Sequence, residues 1–155
     1  KVDAALRKLA EEMLETMYHG KGVGLAAQQI GRTEAICVID IPKARDTEEA
    51  LAGTVMPLVM VNPQIEVMSG EQKGDEGCLS FPDIFVTIRR ANEVTVTFLN
   101  LQNREETIKA AGFLSRAVQH ELDHLNGVLL IDRMSVVQKL GVAGKLKRIK
   151  KQAKE

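Results

Sequence analysis

The chain has 155 residues, of which 45% are hydrophobic and 27% charged, a composition typical of one soluble globular domain. Its 21 basic residues balance its 21 acidic residues, so the net charge gives no sign of a polyanionic partner such as nucleic acid. Two cysteines are too few for a disulfide scaffold, and no signal peptide or membrane-length apolar run is visible. We therefore expect a cytoplasmic protein, with an organellar origin as the open alternative.

The first part of the chain predicts one helix followed by strands. Apolar residues at helical spacing predict a helix over 2–19. Four glycines between positions 20 and 31 indicate a close-approach loop instead of a regular element. A β-branched run at 35–41 predicts a buried strand, and 58–70 has the pattern of strand, turn and strand, with Pro63 as the break.

The second part of the chain adds more strands and two helices. A meander of three strands is predicted at 85–91, 93–101 and 105–110. A second helix is expected over 112–126, then a short strand-like apolar run at 128–132 and a third helix over 136–155. The pattern predicts a single α+β domain over 1–155, with mostly antiparallel strands around a central helix and further helices at both ends.

The central helix carries a motif typical of metal sites, QHELDH at 119–124. Four residues turn a helix by about 400°, so His120 and His124 share one face and are placed to ligate one ion. Glu121 is then within reach of a metal-bound water, while Asp123 is expected to face solvent. The alternative is a solvated helix with two ordinary histidines, but two of only three histidines in the chain fall within this motif.

A catalytic site of this kind needs a third protein ligand and one open position. No histidine follows Gly127, and the nearest carboxylate downstream is Asp132. Cys78 is the other candidate because it follows Gly77 outside any apolar run, whereas Cys37 within a β-branched run is expected to be a buried hydrophobe. A thiolate with two imidazoles suits Zn(II), Fe(II), Co(II) or Ni(II).

Three segments of the chain, in this order, resemble the signature motifs of the peptide deformylase family: GVGLAAQQIG at 22–31, EGCLS at 76–80 and QHELDHLNG at 119–127. The resemblance extends over 14–135. It implies an α+β enzyme that removes the N-formyl group from the initiator methionine of nascent chains and releases formate. It also implies one divalent ion, Fe(II) in most natural cases, with Zn(II), Ni(II) or Co(II) as substitutes.

The resemblance assigns the reaction chemistry to particular residues. The ion's ligands are implied to be Cys78, His120 and His124. Glu121 is implied to be the general acid and base, and the oxyanion is implied to be stabilised by the Gln29 side chain and the Leu79 backbone N–H. These roles agree with elementary chemistry, since a metal-activated hydroxide that attacks the formyl carbon creates a negative oxygen that needs donors.

The substrate is expected to contact both glycine motifs and the central helix. The backbone at Val23, Gly24 and Gly77 resembles the stretches that pair with an extended peptide. We also expect a methionine pocket lined by Val23, Phe113 and Ala117, because the two helix positions share a face with the first histidine.

The chain departs from the family in three places. A strand and a Pro-Asp-like turn that usually precede the first helix are missing, so either the chain is truncated or the natural protein starts late. Phe85 stands where many bacterial members carry a polar or basic residue, which leaves substrate preference beyond the methionine open. Arg116 lies one turn before His120, near a pocket that the family lines with apolar groups. Either it points away or its aliphatic stem lines the wall.

Three other functions compete with a deformylase. A zincin-like endopeptidase shares the HExxH pattern but needs neither Cys78 nor the first glycine motif. A non-catalytic peptide binder of the same fold is at odds with the intact Glu121 and Gln29. A structural or storage site for metal is at odds with a third ligand in a glycine-flanked exposed segment.

The C-terminal stretch 145–155 contains six basic residues and one acidic residue. Cations near the end of a helix are usually a solvated face that complements the helix dipole. The alternative is a tether to ribosomal RNA, since formylated chains are made at the ribosome. We expect a monomer that acts on formyl-methionyl peptides and nascent chains, without a membrane partner.

Overall fold

The computed structural model describes residues 1–42, 54–78, 81–128, 130–133, 135, 137, 138 and 140, with only the backbone at 78, 81–84 and 131. Helix α1 spans Ala4–His19 and helix α2 spans Gly112–Leu125. Strands β1 to β7 span Gly24–Ala26, Ile36–Ile39, Leu58–Ser69, Gln72–Cys78, Phe81–Arg90, Glu93–Leu99 and Glu105–Ala111. Within these ranges, no helix has the length and apolar character of a membrane span.

Five antiparallel strands form the main sheet in the order β1-β2-β3-β6-β7, and β4 and β5 form a separate hairpin. The register of the sheet places Cys37 opposite both Ala26 and Met60. β2 is apolar and buried along its whole length. This is because Ile36 and Val38 belong to the core shared with α1, whereas Cys37 and Ile39 belong to the core shared with α2. The sheet therefore lies between the two helices, and α2 is central.

Helix α1 orients the glycine segment that follows it. Asp3 caps the helix by accepting the Leu6 N–H at 2.8 Å, and the helix buries Met13 and Met17 against the sheet. The helix ends where the N–H of Gly22 returns to the carbonyl of Met17 at 2.9 Å. The chain then enters β1 directly, at the edge of the sheet and beside α2.

The predicted α+β class, with antiparallel strands and few helices, is confirmed. The glycine segment, however, is not only a loop, since it contains β1 and a 3₁₀ turn at Ala27–Ile30. The prediction of two strands over 58–70 was also wrong. β3 runs through Pro63 because Asn62 adopts a φ of 51° and the register with β6 shifts between Val61 and Gln64. At such an irregularity the strand can continue although proline has no N–H to donate.

Two further predictions were wrong in the second part of the chain. The strand predicted at 85–91 pairs with β4 instead of joining a meander, because β5 and β6 belong to different sheets. The apolar run at 128–132 is a 3₁₀ turn at Leu130–Arg133, not a strand. Residues 137, 138 and 140 are helical, as expected for a third helix, but the rest of 136–155 lies outside the described residues.

A hydrogen bond from Tyr18 to Asp40 fastens the end of α1 beside the glycine segment. That hydrogen bond, with smaller contributions from burial and the Asp40 charge, raises the pKa of Tyr18 from 10.0 to about 12. Because the folded pKa is the higher one, the interaction stabilises the fold fully below about pH 10 and is lost as the pH rises through about 12.

Tyr18 is the sole tyrosine and the chain has no tryptophan, so the phenolate absorbance reports this residue alone. We expect a titration midpoint near 12 for the folded protein and a lower midpoint, close to the ordinary value of 10.0, for Asp40→Asn. Equal midpoints for the two proteins would show that Asp40 does not hold the phenol.

Candidate metal-dependent active site

The two motif histidines meet edge to face on one side of α2. Their Nε2 atoms lie 3.2 Å apart, and their ring centroids lie 4.9 Å apart. Two imidazoles bound to one tetrahedral ion at about 2.0–2.1 Å would place their nitrogens about 3.3 Å apart. His120 and His124 therefore have the separation expected of two ligands of one ion.

The orientation of His120 is fixed from behind by Glu76 on β4. Nδ1 of His120 lies 2.7 Å from Oε1 of Glu76, which is a carboxylate and can only accept. Nδ1 must then carry a proton, which leaves Nε2 as the nitrogen of His120 that can present a lone pair to an ion. A carboxylate that holds the far nitrogen of a histidine in this way is typical of metal sites.

Glu76 is the centre of a buried ionic cluster. Arg90 donates to both of its oxygens, at 2.8 and 2.9 Å, and Arg116 donates to Oε2 at 2.6 Å. Burial acts to raise the pKa of Glu76, but the hydrogen bonds to Arg90 and His120 outweigh it and hold this pKa at about 2. The acceptor for His120 is therefore an ionised carboxylate at neutral pH.

The ionic cluster continues through Asp123, which we expected to face solvent. That expectation was wrong: Asp123 is buried, because Arg90 donates to it at 2.5 Å and Arg133 donates to both of its oxygens at 2.7 and 3.0 Å. Arg133 belongs to the 3₁₀ turn after α2. The helix that bears the histidines is therefore held by β4, by β5 and by the segment that follows it.

Glu121 lies on the inner side of α2, against β1. Its residue exposure is 4%, and a methyl group placed on Gly24 would stand only 2.5 Å from its Oε2 atom. A side chain at position 24 and the carboxylate of Glu121 could not occupy this space together. The glycine of the first motif therefore makes room for the acid of the third motif.

Gln29 is held by the strand that precedes it. Its side-chain oxygen accepts the N–H of Ala26 at 2.9 Å, within the 3₁₀ turn that follows β1. Since an N–H must meet the oxygen of the amide, the NH₂ end of Gln29 is turned in the other direction. This gives the group a defined orientation as a donor.

Val23, Phe113 and Ala117, the residues predicted for a methionine pocket, pack in the core cluster between the sheet and α2. Gly24 and Gly77 lie in β1 and β4, and each of these strands has one edge without a strand partner among the described residues.

Two predicted residues cannot be placed as fully. Cys78 ends β4, two residues after Glu76, but its side chain is not described, and Leu79 lies outside the described residues. Accordingly, the described side chains of His, Cys, Asp and Glu contain no group of three that could hold a metal.

Three residues of the buried ionic cluster shape the site but were not predicted: Glu76, Arg90 and Arg133. Glu76 and His120 are 44 positions apart and Arg90 and Asp123 are 33 apart, whereas Arg133 and Asp123 are 10 apart but lie in different elements. The single sequence signal was the position of Glu76 two residues before Cys78, on a strand whose alternate residues share a face.

Two convergent imidazoles, a buried glutamate one residue away and an open strand edge beside them form the kind of site that metal-dependent hydrolases use on peptide amides. Comparison with known proteins supports this class. The sequence profile of the polypeptide deformylase family matches residues 1–140.

The peptide deformylase of Orientia tsutsugamushi (strain Boryong) is 41% identical over 152 residues, which are 96% of this chain and 84% of the relative. That of Bartonella tribocorum is 43% identical over 156 residues, covering 99% and 83% of the two chains.

Solved structures agree. The crystal structure of peptide deformylase from Ehrlichia chaffeensis superposes with a TM-score of 0.88 at 36% identity, covering 100% of this chain and 88% of that chain. A structure of peptide deformylase from Ehrlichia chaffeensis in complex with actinonin gives 0.84 at 38% identity, covering 96% and 85%. The chain belongs to the polypeptide deformylase family. It is a metal-dependent hydrolase, and its reaction is the removal of the N-formyl group from nascent peptides.

Proposed function

We propose that this chain deformylates the initiator methionine with Glu121 as the proton carrier, beside a divalent ion held by Cys78, His120 and His124. The observation that carries the proposal is the 3.2 Å separation of the two histidine Nε2 atoms, on the same helix as a buried Glu121 that packs against Gly24. The thiolate and imidazole set suits Fe(II), which we propose as the native ion, with Zn(II), Ni(II) or Co(II) as substitutes. When bound, such an ion supplies hydroxide at neutral pH.

The chain's own groups then handle the proton and the negative charge. Glu121 accepts the proton of the attacking water and later delivers it to the amine of the departing methionine. The NH₂ of Gln29 and the backbone N–H of Leu79 donate to the oxygen that becomes negative. The low exposure of Glu121 limits competition from bulk water for the proton that it carries.

The substrate backbone is proposed to lie between the open edges of β1 and β4. Val23 and Gly24 on one side and Gly77 on the other would pair with an extended peptide. The methionine side chain would enter a pocket formed by Val23, Phe113 and Ala117, whose apolar surfaces suit a flexible thioether. A formyl carbon carries only hydrogen, so tight packing around it excludes acetyl and longer acyl groups.

Formate release from formyl-Met-Ala-Ser tests this function directly. We expect turnover with protein prepared anaerobically with Fe(II), slower turnover with Zn(II), and none with acetyl-Met-Ala-Ser. Formyl-Asp-Ala-Ser should be a poor substrate because its carboxylate would enter an apolar pocket. Cleavage within the peptide, without formate, would instead identify an endopeptidase.

Replacing Cys78 with serine tests the third ligand. The variant should bind less metal or prefer a different ion, because an alcohol replaces a soft thiolate. Metal content and ion preference are measured after dialysis against a mixture of Fe(II), Zn(II) and Ni(II). Cys37→Ala is the matched control, since Cys37 is a fully buried core residue and its loss should leave the metal content unchanged. Unchanged content and preference in Cys78→Ser would remove Cys78 from the metal site.

We propose a role for the basic C-terminal segment that follows from the substrate. Nascent chains emerge from ribosomes, so we propose a cytoplasmic monomer of one catalytic domain over 1–155 whose C-terminal helix contacts ribosomal RNA. Hydrogen bonds of Ser135 and Gln138 support a helix start at this point. Ser135 and Gln138 cap each other, and Nε2 of Gln138 donates to the carbonyl of Thr87 on β5 at 2.8 Å.

Co-sedimentation with ribosomes tests the tether. The full chain should sediment with ribosomes at low salt and dissociate steeply as salt rises, because each phosphate contact releases counterions. A variant ending at Val137 should fail to sediment while keeping its activity on short formyl peptides. The tether would be contradicted if both chains sediment alike or if binding does not depend on salt concentration. Analytical ultracentrifugation of the full chain tests whether it is a monomer.

A further inference from the structure

Arg116 occupies the interface between α2 and the β4–β5 hairpin, and the hairpin provides four hydrogen-bond acceptors for it. Its guanidinium donates to the side chain of Gln72 at 3.2 Å, to the carbonyls of Gly74 and Ile88 at 3.1 Å each, and to Glu76 at 2.6 Å. The side chain is only 5% exposed. An arginine buried this deeply is costly unless its contacts serve a purpose beyond filling space.

Gly74 leaves the space that this guanidinium occupies. A Cβ atom at position 74 would stand 3.0 Å from Cζ, Nε and Nη2 of Arg116. The end of an arginine can usually move away from such a contact, but this one is fixed by its hydrogen bonds to both strands of the hairpin. Glycine inside a strand normally lowers the stability of that strand. The glycine at position 74 is therefore better explained by the space that Arg116 needs than by the needs of the strand.

We propose that Arg116 is a positioning residue that acts on the metal site through Glu76. Arg116 holds Oε2 of Glu76 together with Nε of Arg90, while Oε1 accepts from Nη2 of Arg90 and lies 2.7 Å from Nδ1 of His120. This fixes the ring with its Nε2 atom facing Nε2 of His124, at 3.2 Å. The inference deepens the proposed function, on which it rests for the presence of the ion. It assigns Gly74 a part as well, since a side chain at position 74 would force the guanidinium to shift from the position in which it bonds Glu76.

A double-mutant cycle in melting temperature tests whether Gly74 makes space for Arg116. Gly74→Ala alone should lower the melting temperature of the full chain by about 3 °C or more, since the added methyl displaces Arg116. In the Arg116→Ala background the same change should cost nothing, because the guanidinium that it would meet is gone. An equal cost of Gly74→Ala in both backgrounds would overturn the steric part of the proposal.

Nitrogen NMR of the His120 ring in the metal-free full chain tests the positioning role without any reaction. The wild type should show one tautomer, with the proton on Nδ1, whereas Gly74→Ala and Arg116→Ala should show exchange between tautomers. Their affinity for Zn(II), measured by competition with a chelator, should fall about 10- to 100-fold. Arg116→Lys should not rescue either signal, because an ammonium lacks the second donor atom, Nε, that bonds Gln72, and lacks the planar group that is held between the two strands.

Arg89→Ala is the matched control. Arg89 precedes Arg90 on β5, is 68% exposed and pairs only loosely with Glu71 at 3.6 Å, so its loss should change neither the ring tautomer nor the Zn(II) affinity. If all Arg116 variants have a lower melting temperature but an unchanged ring tautomer and Zn(II) affinity, Arg116 only stabilises the fold. That result would overturn the proposal. If an alanine variant does not fold, Arg116→Lys, which keeps the stem and the charge, decides by the same two measurements. Failure of the wild type to release formate would refute the proposed function and leave the tautomer result standing.

Discussion

Glu121→Ala is expected to bind metal as the wild type does and to lose almost all formate release. Glu121 is assigned proton transfer and not coordination, so its removal should leave the two histidines in place. Loss of a positioned acid and base typically costs on the order of 10²- to 10⁴-fold in rate. The measurements are kcat/KM on formyl-Met-Ala-Ser and metal content by elemental analysis of the same sample.

The control for this variant is Glu66→Ala, which removes an exposed carboxylate from β3 and should change neither quantity. A parallel loss of metal and activity in Glu121→Ala would assign Glu121 to coordination or to folding of the site. Full activity with normal metal would require another proton carrier. Glu76 is unsuited to that task, because two arginines and His120 already occupy its oxygens.

The sequence could predict the part of the site that one helix contains. His120, Glu121 and His124 are neighbours through local geometry alone, since a four-residue step on a helix returns to the same face. The motifs also allowed the role of Gly24 to be suspected, because glycine permits a close approach of backbone. What no local pattern contained was the identity of the group that approaches Gly24, namely the Glu121 carboxylate 97 positions later (121 minus 24).

The buried ionic cluster was beyond sequence reasoning for the same physical cause. Charged residues are usually placed on the surface by default, so Asp123 was assigned to solvent. Its burial depends on Arg90 and Arg133, which reach it through strand and turn packing that has no helical or strand period. The strand errors are similar: Pro63 is a valid reason to expect a break, but a positive φ at Asn62 lets β3 continue past it.

Gly24→Ala is expected to reduce deformylation about 100-fold while the protein keeps its fold and its metal, because small displacements of catalytic groups have effects of that size. The backbone at position 24 lies outside the left-handed region, so alanine is locally acceptable there. The added methyl would nevertheless stand 2.5 Å from Oε2 and 3.0 Å from Cδ of Glu121. The carboxylate must therefore rotate away from its present position against β1, and this displacement is what the rate should report.

A cycle with Glu121→Ala separates this effect from damage to the β1 edge, where the peptide is proposed to bind. If the methyl acts by displacing the carboxylate, Gly24→Ala should cause no further fall in kcat once Glu121 has been removed. A further fall of similar size in that background, together with a raised KM, would mean that position 24 acts mainly on the peptide backbone. The close contact between Gly24 and Glu121 would then be a result of packing and not a requirement of the chemistry.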